Sequence, residues 1–129
     1  MASRRIHIAF IAVAMIITMA GAATSHEATK GANGGALVDV EGHHVEFVPS
    51  DSELTFYLTD ANGAPLSTAQ AKMKAIVQIG GKTTRLELSP SAPNKLTAPL
   101  ETRLGQGAKV VLSGVLPDGH SLQGRFVVP

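Results

Sequence analysis

The sequence predicts an all-β domain. Apolar and polar residues alternate in short runs, which is the period-two pattern of a strand buried on one face. Turn signals separate these runs at intervals of roughly 8–12 residues, and glycine and proline concentrate at those turns. Together these observations predict a sandwich of about seven or eight short antiparallel strands.

Three strands are predicted in the first half of the domain, over residues 36–40, 43–48 and 53–59. The third gives the clearest signal, because its two leucines and its phenylalanine share one face while threonine and tyrosine take the other. Polar breaks separate the three strands. After the third strand, the DANG sequence at residues 60–63 is a strong turn signal.

Five more strands are predicted in the second half, and the first two form a hairpin across Gly80 and Gly81. The fourth and fifth close the chain as a pair. Between these groups, a proline-containing loop at residues 89–94 leads to a weak edge strand that Pro99 limits. A helix over residues 68–74 remains an alternative, although the β-branched residues that follow favour a strand. The five predicted strands cover residues 71–79, 82–88, 95–100, 108–116 and 120–128.

The N-terminus has the pattern of a secretory signal peptide. Two arginines precede an apolar run over residues 6–20, and small residues follow at 21–23. The run is about 15 residues long and so falls short of the ~20 that span a bilayer, which favours cleavage over anchoring. Cleavage after residue 23 leaves Thr24 first, and cleavage after residue 25 leaves His26 first. We therefore expect a periplasmic protein with a signal peptide (1–23), a flexible arm (24–35) and a β-sandwich domain (36–129).

Composition excludes several classes of site and partner. The chain has no cysteine, which rules out disulfides, thiolate metal sites and cysteine nucleophiles. Of its 11 Lys and Arg residues, Arg4 and Arg5 lie in the predicted signal peptide, so nine face ten Asp and Glu in the remainder. This near-neutral balance predicts no nucleic-acid partner, and contact with a membrane only through the uncleaved signal peptide. The lack of Trp and Cys removes the hallmarks of antibody domains but leaves the wider immunoglobulin-like architecture.

Residues 26–46 hold three histidines and several carboxylates, the groups that zinc and copper prefer. On a strand, His44 and Glu46 share one face, and His43 takes the other unless the strand begins irregularly. His26 and Glu27 complete the set if the arm folds back. A site needs three or four such ligands at about 2.0–2.2 Å. The alternative is that the histidines end a strand and Glu46 is a solvated charge.

Two further features have alternative interpretations. Residues 33–35 (NGG) form either a backbone anion cradle or, as we favour, a tight turn before a strand. His120 is either an exposed turn residue, which we favour, or a ligand if the fold brings it near His44. No Gly-x-Ser-x-Gly or comparable catalytic pattern occurs, so we expect a protein that is not an enzyme.

The chain resembles a group of small exported proteobacterial proteins in three motifs. These are the leading HE of His26 and Glu27, the K-G-x-N-G-G turn and the H-H-x-E strand. A second shared piece is a strand that ends in the Asp-x-x-Gly-x-Pro turn of residues 60–65. Some members are similar to periplasmic parts of heavy-metal efflux systems. The resemblance implies a role in metal handling, with His43, His44 and Glu46 at the matching positions. The chain departs from the group at Ala32, where proline is common.

Two hypotheses follow. The first is a non-enzymatic β-sandwich that binds copper or zinc weakly and takes part in periplasmic metal handling or efflux. The second is an interaction module that pairs an exposed edge strand, residues 95–98, with an envelope or efflux-system protein. A purely structural exported domain is a third possibility.

Overall fold

The computed structural model describes residues 29–129, and it contains ten strands and no helix in that range. The predicted signal peptide, His26 and Glu27 lie outside the described residues. All eight predicted strands are confirmed within one or two residues at each end. The strands are β1 (Thr29–Lys30), β2 (Ala36–Val40), β3 (His43–Pro49), β4 (Glu53–Thr59), β5 (Lys72–Ile79), β6 (Lys82–Glu87), β7 (Ser89–Ser91), β8 (Lys95–Pro99), β9 (Lys109–Val115) and β10 (Ser121–Val127).

The strands form two antiparallel sheets. One has six strands in the order β1-β2-β3-β4-β8-β7, and the other has four in the order β10-β9-β5-β6. The chain passes from the four-stranded to the six-stranded sheet at Leu88, between β6 and β7. Since each sheet is apolar on one face, burying both faces against each other produces the predicted sandwich.

Three phenylalanines lie at the centre of the core between the sheets. Phe47 and Phe56 come from the six-stranded sheet, and their ring centroids are 5.2 Å apart. Phe126 comes from the four-stranded sheet and lies 5.3 Å and 5.6 Å from them. Their alternating neighbours on β4, Leu54 and Leu58, are fully buried, as the sequence pattern predicts.

The two additional strands lie where the sequence is polar or rich in proline. β1 pairs with β2 within the expected arm, and β7 pairs with β8 within the expected loop. Pro90 is tolerated in β7 because that strand lies at the edge of its sheet. The alternative helix over residues 68–74 is wrong. Gln70 has a φ of 64°, outside the helical range, and β5 begins at Lys72.

The prediction that residues 95–98 form an exposed edge strand is wrong. β8 lies between β4 and β7, so residues 95–97 have partners on both sides. The three-residue β7 is the edge on that side of the six-stranded sheet. In the four-stranded sheet, β6 is a longer open edge, because it pairs only with β5 and has almost wholly exposed side chains. The edge at the other end of this sheet, β10, packs close to β2. Within residues 29–129, no helix is long and apolar enough to cross a bilayer.

Candidate metal site and the Glu46 turn

A glycine-rich turn covers Glu46 and buries it to 3% exposure. The turn follows β1 and is closed by backbone hydrogen bonds between Gly31 and Gly35 and between Gly34 and Gly31. The Glu46 carboxylate accepts hydrogen bonds from the Asn33 amide (3.0 and 3.1 Å), the Asn33 side chain (3.1 Å) and the Gly35 amide (2.8 Å). The acid therefore takes the place of water for three donors of the turn.

Two of the glycines are required by close approach. A Cβ atom at Gly31 would overlap the Glu46 side chain, and one at Gly35 would overlap the Phe47 carbonyl oxygen. Only glycine lets the turn lie this close to β3. Residues 29–35, which belong to the expected flexible arm, thus lie on the six-stranded sheet.

This contact accounts for Gly31, Asn33 and Gly35 of the K-G-x-N-G-G pattern and for Glu46 of the H-H-x-E pattern. Residues 33–35 do hold an anion, as one of the two alternatives proposed, but the anion is the carboxylate of Glu46 from the same chain. They also form the tight turn that the sequence favours. With both oxygens engaged, Glu46 has hydrogen-bonding partners that a metal ion would have to displace.

His44 lies on the outer face of the six-stranded sheet, the same face as Glu46. Its Nε2 is 3.8 Å from Oδ2 of Asp39, its direct partner on β2. His43, the preceding residue on β3, lies on the opposite face, as strand alternation predicts. The structure therefore separates His43 from His44 and Glu46.

His43 lies instead beside His120. It is the first residue of β3, next to the β2–β3 turn, and its partner on β2 is the buried Val40. Its Nδ1 atom is buried and has no hydrogen-bond partner. The ring centroids of His43 and His120 are 6.5 Å apart, with the planes tilted by 49°.

Asp118 orients His120. In the β9–β10 turn, Oδ1 of Asp118 accepts a hydrogen bond from the His120 amide (2.9 Å), and Oδ2 lies 2.7 Å from Nδ1 of the ring. Because a carboxylate can only accept, the proton lies on Nδ1 and, in the neutral ring, leaves the Nε2 lone pair free. This hydrogen bond raises the pKa of His120 above its ordinary value, and the same bond lowers the pKa of Asp118.

The described residues thus bring together a pair of imidazoles with one supporting carboxylate. No group of three or more His, Asp or Glu side chains within residues 29–129 is arranged to hold a metal ion. The sequence favoured an exposed turn residue at His120, and its side chain is 73% exposed. The alternative required proximity to His44, but the neighbour is His43, because that contact depends on how the two sheets pack. The signal available was the D-G-H turn, in which an acid two residues before a histidine can bond its ring.

No family model, curated protein or solved structure matches the chain. The resemblance to exported proteins of efflux systems therefore stays a prediction, as does the immunoglobulin-like architecture beyond the two-sheet sandwich.

Proposed function

We propose that this protein is an exported, non-enzymatic β-sandwich that binds copper or zinc weakly at His43 and His120 and takes part in periplasmic metal handling or efflux. The observation that supports it most is the neighbouring pair of imidazoles, one of which has a buried nitrogen without a partner. A buried polar atom without a hydrogen bond is costly, and a metal ion bound there removes that cost.

The proposal places one ion between the rings, whose centroids are 6.5 Å apart. Metal–nitrogen bonds of about 2.0–2.1 Å at a tetrahedral angle require the side chains to rotate so that the rings come closer and each turns a nitrogen towards the ion. Two protein ligands are fewer than the four of a structural zinc site. Water or another molecule completes the shell, so the affinity is low and the ion exchanges easily, as metal transfer requires.

Asp118 has a positioning role in this proposal. A carboxylate that accepts from the second nitrogen of a ligating histidine fixes the ring and raises its basicity. The 2.7 Å contact between Asp118 and Nδ1 of His120 is such an arrangement. The change Asp118→Asn is therefore expected to weaken metal binding about tenfold or more.

The proposal is tested by isothermal titration with Cu²⁺ and Zn²⁺ at pH 7. The protein is purified after export, with its N-terminus as the cell processes it. We expect a single weak site that His43→Ala and His120→Ala each abolish or weaken by at least about tenfold. His44→Ala is the matched control, because His44 lies on the opposite face of the same strand. The absence of heat above the buffer control for both ions would end the proposal.

His26 and Glu27 stay candidate ligands from outside the described residues. Their contribution is measured by adding His26→Ala and Glu27→Ala to the same titration. Unchanged affinity in both variants would leave His43 and His120 as the site, whereas a loss equal to that of His120→Ala would extend it to the N-terminal residues. The mass of the purified protein shows whether His26 is its first residue.

The open edge of β6 favours the interaction module as a second candidate function. It pairs on one side only, and a groove of about 600 Å³ lies beside it, lined by Ile79, Leu86 and Leu100 among others. An added partner strand would place alternate side chains in this groove. Thr84→Pro should abolish capture of an envelope partner and leave metal binding intact. His43→Ala should abolish metal binding and leave capture of the partner intact.

A further inference from the structure

The outer face of the four-stranded sheet carries most of the positive charge of the described chain. Five of the nine Lys and Arg residues outside the predicted signal peptide point outward from it, whereas Glu87 is its one outward carboxylate. None of the five takes part in an ion pair within residues 29–129. The five cations are Lys72, Lys74, Arg85, Lys109 and Arg125.

The strand register spreads these cations over the whole face. Side chains directly opposite one another on neighbouring strands share a face, so the register defines four rows across the sheet. Each row contains at least one cation. The rows are Lys72–Val115–Ser121, Glu87–Lys74–Ser113–Gln123, Arg85–Ile76–Val111–Arg125 and Thr83–Gln78–Lys109–Val127.

Apolar side chains lie among the charges. Ile76 and Val111 are adjacent at the centre, with an arginine on each side. Val115 and Val127 are 42% and 59% exposed on the same face. Exposed apolar residues surrounded by cations are typical of surfaces that lie on an anionic interface.

A shallow depression of about 460 Å³ lies on this face. Lys72, Lys74 and Ser113 line it together with Glu41 and Glu87. Ammonium and hydroxyl donors in one depression match the acceptors of a phosphate group. The two carboxylates limit the net charge there, so the face as a whole supplies the attraction.

We infer that this face docks the protein on a membrane surface rich in anionic phospholipids, in addition to the membrane contact through the signal peptide that the overall charge balance predicts. The charge is distributed over a plane four strands wide, which complements a plane of dispersed phosphates better than it complements one compact acidic ligand. Attraction of this kind is additive, and removing one cation weakens partition about fivefold. The orientation leaves the outer face of the six-stranded sheet turned away from the lipid.

Flotation with vesicles tests the inference. The protein is purified after export, with its natural N-terminus, and kept in EDTA. It is mixed with vesicles of phosphatidylcholine alone or with vesicles in which one third of the lipid is phosphatidylglycerol. We expect binding to the anionic vesicles beyond that to the neutral ones, and loss of the difference in 1 M NaCl, where the Debye length is about 3 Å. Equal binding to both vesicles at low salt would overturn the inference.

Matched variants locate the surface. Lys72→Gln with Lys74→Gln, and separately Arg85→Gln with Arg125→Gln, should each reduce the anionic partition by more than tenfold. Lys30→Gln with Lys95→Gln removes the same charge from the six-stranded sheet and should change it little. Equal effects of all three pairs would overturn the assignment to this face. Binding to soluble polyglutamate but not to vesicles would overturn it in favour of an acidic protein partner.

Discussion

Glu46 shows how a charged residue can be structural on the outer face of a sheet. Its position in the H-H-x-E pattern is correct for a side chain pointing away from the core, and solvent would normally cover it. The turn over residues 31–35 covers it instead and supplies three donors. Its burial is therefore compensated by the hydrogen bonds that its two oxygens accept.

We predict that Glu46→Ala lowers the free energy of unfolding by roughly 2–4 kcal/mol, because it leaves donors of Asn33 and Gly35 without their acceptor. Urea denaturation followed by circular dichroism measures the change. Glu87→Ala, at an exposed position on β6, is the control and should stay within about 0.5 kcal/mol of wild type. Equal small effects of the two changes would contradict the structural role of Glu46.

His120 provides a test at the level of a single ionisation. In metal-free protein, an NMR titration should give its imidazole a pKa above 6.5. Asp118→Asn should return the pKa towards that value, because the hydrogen bond that the ring donates to the carboxylate is weakened.

Since the pKa of His120 is raised on folding, the His120–Asp118 pair stabilises the fold below pH 6.5 and loses this contribution as pH rises through the folded pKa of His120. The lowered pKa of Asp118 sets the acid limit, because the contribution is lost as pH falls through it. An unchanged His120 pKa in Asp118→Asn would refute this coupling.

The sequence predicts the face of the sheet to which His43, His44 and Glu46 point, but not which residues pack against them. Strand alternation correctly places His43 opposite His44 and Glu46. The cover over Glu46 comes from a turn eleven or more residues away along the chain. The neighbour of His43 comes from the other sheet. Contacts of that range depend on tertiary packing, which no local pattern contains.

At the scale of elements, the glycine turn acts as a unit with β3. We predict that Gly35→Ala lowers the free energy of unfolding by about 1–3 kcal/mol, because its Cβ would overlap the Phe47 carbonyl oxygen and force the turn away from β3. Thermal and urea unfolding measure the effect.

Gly105→Ala is the control for this substitution, since a Cβ atom there meets no atom within 4 Å. Its effect should be under about 1 kcal/mol in either direction. Similar losses from the two substitutions would mean that replacing any glycine with alanine has this effect on the free energy of unfolding, and would contradict the role of the overlap at Gly35.

The strands with the clearest alternation were predictable because each pairs along most of its length and buries one face. β5 is an example, with Met73, Ala75 and Val77 buried in alternation. β4 buries Leu54, Phe56 and Leu58 in the same way, with Thr55 buried on its other face. β7 was not predictable, since three residues with a central proline have no periodicity and only the adjacent β8 makes them a strand. That same pairing gives β8 a second neighbour, so β7 and not β8 is the edge strand at this end of the six-stranded sheet.

For the whole molecule, the open edge of β6 is a risk of association that its charges counter. Lys82 and Arg85 are exposed along it, and charged side chains on an edge discourage pairing with another chain. We predict that Lys82→Val with Arg85→Val converts the protein to dimers or larger species. Sedimentation velocity measures this.

Lys109→Val is the control for that prediction. It removes an exposed lysine from β9, which has partners on both sides and no free edge. This variant should keep the sedimentation coefficient of wild type. Association of Lys109→Val to the same extent would attribute the effect to apolar surface in general and contradict the role of the edge.

The two imidazoles belong to different layers of the sandwich, since His43 begins a strand of one sheet and His120 precedes a strand of the other. An ion bridging them would act as a removable crosslink in a chain that has no disulfides. Such a crosslink favours the folded state by mass action, so the melting temperature would rise with the logarithm of free metal. Heat resistance would then report how much metal the compartment contains.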